Sequence, residues 1–305
     1  MRVHLALIFV QVSFGAFSVF GKYVLGYVHP LAVAGLRVLV AGPFLMLLAL
    51  RYDKVLPKGR DLLTLAMLGF FGVFLNQLLF ITGLDYTTAT NASILMPSIP
   101  VFTVAIAMVM GVERITFRRS AGIGVAVAGA LIMLRVTTFS FTEDTVIGNG
   151  MVLVNCLSYS IFLVLARPVL LRIPPLTVIA WTFVFGGTGV LLFSTPELLR
   201  LPVASLPILV WLGIAYVVIF PTIINYLLNT WAIKRSSSTL VAAYTTLQPV
   251  VATTLAVFLL DEFFGFREIV GFLLIVSGLL SITWKRGTIS QGEKSPPGQL
   301  RSPSA

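Results

Sequence analysis

The chain has 305 residues, 58% of them hydrophobic and only 10% charged, with a mean hydropathy of +1.01. A soluble domain has too little interior for that much apolar surface, so the composition excludes the ordinary soluble classes. A net charge of +10 would point a soluble chain toward nucleic acid, but here the basic residues punctuate apolar runs, and no nucleic-acid partner is expected.

A helix rises about 1.5 Å per residue and the hydrocarbon layer is about 30 Å thick, so roughly 20 apolar residues make one span. Windows of that kind fall at 4–24, 31–50, 62–83, 91–110, 119–135, 148–167, 175–194, 207–231, 238–259 and 267–284. The first follows Arg2, yet it lacks a small-x-small cleavage site and ends on Lys22, so it reads as a span rather than a signal peptide. Gln11 lies on one face of it. The second holds Arg37, the one formal charge well inside a span, open to three uses: a bidentate grip on a substrate carboxylate, snorkelling to the interface, or holding a helix carbonyl.

The third span carries Asn76 and Gln77, and the fourth opens on Asn91 and is interrupted by Pro97 and Pro100. Gly122 and Gly129 share a face of the fifth, as Gly271 and Gly278 do of the tenth; both pairs read as close helix packing, within one chain or between chains, which leaves a homodimer open. The sixth places Asn155 and Tyr159 one turn apart. It also holds Cys156, the sole cysteine, which excludes an intrachain disulfide and reads as packing. In the eighth, Thr222, Asn225, Tyr226 and Asn229 form a polar face; in the ninth, Tyr244 and Gln248 stand one turn apart beside Pro249. Residues 286–305 are polar and Pro/Ser-rich and read as a disordered cytoplasmic tail.

With ten spans, Arg2 and the Lys and Arg residues of alternate loops fall on one side, 16 in all, against Lys22, Arg135, Arg200 and Arg267 on the other. The positive-inside rule then puts both termini in the cytoplasm of a cell-membrane protein.

Sliding the chain against itself exposes a duplication. An offset of 149 pairs Asn76 with Asn225, Pro100 with Pro249, Glu113 with Glu262, Arg118 with Arg267, Gly122 with Gly271 and Gly129 with Gly278. An offset of 145 pairs Ser13 with Ser158, Phe17 with Phe162, Pro30 with Pro175 and Gly42 with Gly187. The repeats cover 1–136 and 146–285, five spans each. Because five is odd, the second copy enters the bilayer inverted, which is the plan of secondary transporters with a site near the midplane.

The stretches 29–42, 83–134 and 247–284, with the twice-occurring pattern of proline, Glu thirteen residues on and two glycines seven apart, resemble the drug/metabolite transporter superfamily, specifically its EamA-type carriers. The Asn-bearing third span beside a Thr/Ala/Ser-rich fourth is also similar to the plant EamA-like amino acid facilitators. Phe14 and Tyr159 depart from the pattern, standing where many members carry tryptophan. The resemblance implies ten spans, cytoplasmic termini and a central cavity, with substrates that range over amino acids, metabolites, nucleotide sugars and drugs.

Polar side chains in hydrocarbon face the bundle interior or a wet cavity. Gln11, Arg37, Asn76, Gln77, Asn155, Tyr159, Asn225, Asn229, Tyr244 and Gln248 are therefore the candidate substrate-binding residues; amides and hydroxyls offer both donors and acceptors to replace a solute's hydration shell. The competing reading of each is a structural interhelical hydrogen bond. Pro100 and Pro249 are the candidate hinges. No Asp, Glu or His lies near mid-membrane, no metal or cofactor is expected, and no nucleophile–base cluster suggests an enzyme. The reading is a secondary transporter of amino acids or similar small metabolites, in the exporting direction. A passive channel or facilitator, and a non-transporting membrane scaffold, are its alternatives.

Overall fold

The computed structural model describes residues 1–113, 115–133, 143–251, 254 and 266–283. The expected tail, Glu262 and most of the ninth span's second half lie outside them. The described residues form an all-helical bundle without a strand, and the protein is an integral membrane protein. In chain order the helices are α1 (Arg2–Leu25), α2 (Pro30–Tyr52), α3 (Arg60–Gly69), α4 (Asn76–Tyr86), α5 (Ala89–Leu95), α6 (Ser98–Val109), α7 (Phe117–Met133), α8 (Glu143–Leu170), α9 (Pro175–Leu199), α10 (Ile208–Val217), α11 (Asn225–Arg235), α12 (Ser238–Tyr244) and α13 (Phe266–Thr283). Among the described residues, seven helical segments are long and apolar enough to cross a membrane. The helices on the fifth and tenth expected spans, α7 and α13, are shorter, with 17 and 18 residues.

Several spans are built from two helices, and the breaks recur at equivalent places in the two halves. Between α3 and α4 the chain runs as π-helix over Phe70–Leu75, and between α10 and α11 over Val218–Ile224. Each π segment ends at an asparagine of the repeat pair, Asn76 or Asn225. The wider turn loosens the backbone ladder, and side chains from neighbouring helices donate to its carbonyls: Ser158 Oγ to Phe71 O at 2.8 Å and Tyr226 Oη to Gly72 O at 2.7 Å. Thr222 supplies the local counterpart, its Oγ1 donating to Val217 O at 2.7 Å.

The second pair of breaks follows from proline. Pro100 and Pro249 have no N–H for the carbonyls of Met96 and Thr245 four residues earlier, and there the helix gives way, to a turn between α5 and α6 and to a 3₁₀ turn over Thr245–Leu247. The helices before the breaks start alike: Thr88 accepts from Asn91 N at 3.0 Å, and Ser237, its repeat partner, accepts from Leu240 N at 3.1 Å. Pro30 and Pro175 both occupy the first turn of a helix, where a missing N–H costs nothing.

The exterior is apolar, and the largely apolar interior holds a set of buried polar side chains. Leu47, Val109 and Leu192 are 66%, 89% and 75% exposed, whereas Gln77, Thr222 and Asn225 are fully buried. The glycine faces pack within the chain. A Cβ on Gly129 would stand 2.7 Å from Gly271 O, and one on Gly278 would stand 2.5 Å from Gly122 O, so α7 and α13 run backbone against backbone.

Helix ends are tied by matched bonds. Lys22 Nζ donates to Leu84 O at 2.7 Å and Asp85 O at 3.2 Å, and Arg167, its repeat partner, donates to the equivalent Ile233 O and Lys234 O. A cation at a helix C-terminus satisfies carbonyls that have no intrahelical partner. Glu113 accepts from Ser238 N, Ser238 Oγ and Thr239 Oγ1, and Asp53 accepts from Thr177 N and Oγ1 at 2.9 and 2.8 Å; both carboxylates cap the start of a helix in the other half. Glu113, known from the sequence only as a repeat match, thus serves as an N-terminal cap.

Candidate functional site

The broken helices and their neighbours enclose a cavity of about 60 Å³, room for several waters. From residues 1–136 it is lined by Gln11, Phe14 and Phe17 of α1, Arg37 of α2, Asn76 and Phe80 of α4, and Ala92, Met96 and Ile99 around the Pro100 break. From residues 146–285 come Asn155, Tyr159 and Phe162 of α8, Tyr226 and Asn229 of α11, and Thr245 and Gln248 around the Pro249 break. Seven of the ten candidate binding residues therefore line one cavity, and both candidate hinges stand beside it.

Most polar groups in the lining are already paired. Gln248 Nε2 donates to Gln11 Oε1 at 2.9 Å, bridging the two halves. Asn229 Nδ2 donates to the Tyr159 hydroxyl at 2.9 Å and Asn155 Nδ2 to Asn76 O at 2.7 Å, and the Tyr226 hydroxyl, whose proton goes to Gly72 O, lies 3.1 Å from Asn76 Oδ1. Asn229 Oδ1 is buried without a partner, which leaves an acceptor beside the cavity.

Arg37 is 3% exposed. Its Nε donates to Thr222 Oγ1 at 2.8 Å and its guanidinium carbon lies 5.2 Å from the centre of the Phe17 ring. Among the described residues no carboxylate pairs with it, and the cavity is lined by no acidic side chain.

The other three candidates lie outside the lining. Asn225 is fully buried and directs Nδ2 to Ser13 Oγ at 3.1 Å and to Val10 O at 3.4 Å, which is helix-to-helix bonding. Tyr244 pairs with His4 Nδ1 at 2.6 Å toward the N-terminal end of α1. Gln77 is fully buried, with no hydrogen bond to either amide atom. A polar residue on an inward face is bound to be buried, but nothing in spacing separates a helix bond from a cavity wall.

Sequence reasoning left out Thr245, Tyr226 and the apolar wall. Tyr226 was legible as part of the polar face of its span. Phe14, Phe80, Met96 and Ile99 carry no signal, because an apolar side chain is the default in a membrane helix. The repeat offsets do expose a pattern among them. Where both partners of a repeat pair line the cavity they are Phe14 with Tyr159, Phe17 with Phe162, Phe80 with Asn229, Met96 with Thr245, and Ile99 with Gln248. In four of these five the first-half residue lacks the polar group that the second-half residue carries, so the cavity is amphipathic.

Comparison with known proteins accords with this architecture. The model of the EamA-like transporter family matches residues 1–135 and again 146–284, and the chain belongs to that family. A protein of Archaeoglobus fulgidus described as an uncharacterized transporter is 28% identical over 287 residues, 93% of this chain and 98% of that one. A WAT1-related protein of Arabidopsis thaliana is 27% identical over 93% of this chain and 82% of its own length. A protein of Streptantibioticus cattleyicolor named "Probable terminal-alkyne amino-acid exporter" is 29% identical over 88% of this chain and 89% of its own. A solved crystal structure at 19% identity shares the fold, with a TM-score of 0.73 over 92% of this chain and 97% of that one.

Proposed function

We propose that the protein is a ten-span secondary transporter whose two five-helix halves, 1–136 and 146–285, insert in opposite senses with both termini in the cytoplasm. It moves a small polar metabolite, an amino acid or a similar solute in the exporting direction, by alternating access through the central cavity. One observation carries the reading: a cavity with room for several waters, lined from both halves, is flanked in each by a π segment and a proline break at equivalent positions. Discontinuous helices at a repeat interface are the setting in which transporter folds place their substrates. The matched end ties of Lys22 and Arg167 support two equivalent halves, and opposed insertion is supported because Arg172, just beyond Arg167, pairs with Asp61 at the start of the third span while Lys22 holds the carbonyls at its end. The name of the Streptantibioticus relative supports an amino-acid-like cargo.

In this reading Gln11, Arg37, Asn76, Asn155, Tyr159, Asn229 and Gln248 touch the solute, while Asn225 and Tyr244 bond helix to helix and Gln77 lies buried outside the lining. Pro100 and Pro249 are the points at which the lining helices flex.

The test is flux into proteoliposomes. Saturable movement of an amino acid or related metabolite is expected, and Asn229→Ala or Gln248→Ala should lower the flux on the order of tenfold, as the loss of about 1.4 kcal/mol of binding would. Conductance without saturation would make the protein a channel. A folded protein with no saturable flux of any such solute would leave a scaffold.

A further inference from the structure

The reading just proposed leaves the chemistry of the solute open, and the charge of the cavity narrows it. Among the described residues Arg37 is a buried cation with no anion beside it. Its Nε is engaged by Thr222 and its face by Phe17, but among the described residues neither Nη makes a hydrogen bond. A guanidinium in a low-dielectric interior is costly to leave without a counter-charge, and its planar fork matches a carboxylate held by two parallel bonds. The neighbouring amides do not take this part, since Gln11 with Gln248 and Asn229 with Tyr159 already bond to each other.

The surroundings of Arg37 specify the rest of the solute. Phe17, beneath the guanidinium, lies 5.5 Å centre to centre from Phe80, which begins the apolar wall of the first half. Among the described residues no carboxylate lines the cavity to receive an ammonium group. We infer that the cavity, taken as the transport site proposed above, recognises its solute by a carboxylate on Arg37 and an apolar body against the Phe17–Phe80 wall, and does not require an amino group. The class is an amphiphilic monocarboxylate, with zwitterionic amino acids admitted through their carboxylate alone.

Three probes of one skeleton separate the possibilities: phenylacetate, its uncharged amide phenylacetamide, and phenylglycine, which adds the ammonium. Calorimetric titration of the purified full chain in detergent at neutral pH should find phenylacetate bound at least as tightly as phenylglycine, and phenylacetamide weaker by on the order of a hundredfold, the usual loss when one member of a buried charge pair is removed. Arg37→Gln should abolish the preference for phenylacetate over phenylacetamide, and Arg37→Lys, which keeps the charge but loses the fork, should retain part of it. Should either variant fail to fold, the ranking of the three probes on the unaltered protein still decides.

Equal binding of the amide and the acid, or binding of phenylglycine without phenylacetate, overturns the assignment. So does binding of none of the three by a protein that moves other solutes saturably, an outcome that leaves the transport reading standing. A protein that moves no solute at all sinks the transport reading, whatever the calorimeter shows.

Discussion

At the scale of single residues, the cavity wall contrasts groups that finish the backbone with groups that face the space. The Tyr226 hydroxyl does both: it donates to Gly72 O inside the first π segment and lies against Asn76 Oδ1, while its ring meets Phe183 edge-on at 5.1 Å. Tyr226→Phe keeps the ring packing and removes only the hydroxyl. Interhelical hydrogen bonds in membranes contribute about 0.6 kcal/mol on average and up to about 1.7. The upper part of that range applies here, because the carbonyl it serves belongs to the buried Gly72 in a loosened turn. The expected outcome is an unfolding free energy in mixed micelles lower by about 1 kcal/mol, with unchanged helicity by circular dichroism. An unchanged stability would mean that the π segment satisfies Gly72 O in some other way.

At the scale of elements, the ends of helices carry more of the architecture than their lengths suggest, and Glu113 is the plainest case. It stands past the end of α6 and accepts three hydrogen bonds at the start of α12, so a carboxylate from one half closes a helix of the other. Caps of this kind are worth about 0.5–2 kcal/mol, and a charged acceptor at a helix N-terminus lies toward the top of the range. Glu113→Ala should therefore lower the detergent melting temperature, and Glu113→Gln should recover part of it, since the amide oxygen still accepts but without charge; equal melting of all three proteins would remove the cap from the account. The sequence shows Glu113 in a repeat pair but not its partner, because a cap from 125 residues away leaves no local pattern. The proline breaks were legible for the opposite reason: a missing N–H acts four residues upstream within the same helix. The π segments were not, since Phe70–Leu75 and Val218–Ile224 read as ordinary apolar helix and owe their stability to donors on α8 and α11 or to the single local threonine at 222. The glycine faces of α7 and α13 were legible as contact surfaces, and what they meet, each other, required the fold.

At the scale of the whole molecule, the proposal turns on which ends of the helices share a side of the membrane. The same ends that the basic loops assign to one side do meet in space. Arg172 pairs with Asp61 at 3.1 Å, joining the 6–7 and 2–3 connections, while Lys22 reaches the carbonyls that close the third span. Labelling converts this into a measurement, because the chain has one cysteine and Cys156 is fully buried, its Sγ against Leu95 O at 3.7 Å; the unaltered protein should be silent to a membrane-impermeant maleimide. Arg200 and Arg172 expose 75% and 61% of their side chains at opposite predicted faces, and each makes only a surface ion pair, worth about 0–1 kcal/mol, so cysteine is tolerated at both. In intact cells Arg200→Cys should react with the reagent at once, and Arg172→Cys only after the membrane is opened. Since residues 172 and 200 flank a single helix, α9, reaction of both from outside would mean that α9 does not cross. The reverse order, with 172 labelled first, would turn the whole assembly over, placing the termini outside and inverting the direction in which the cavity delivers its solute.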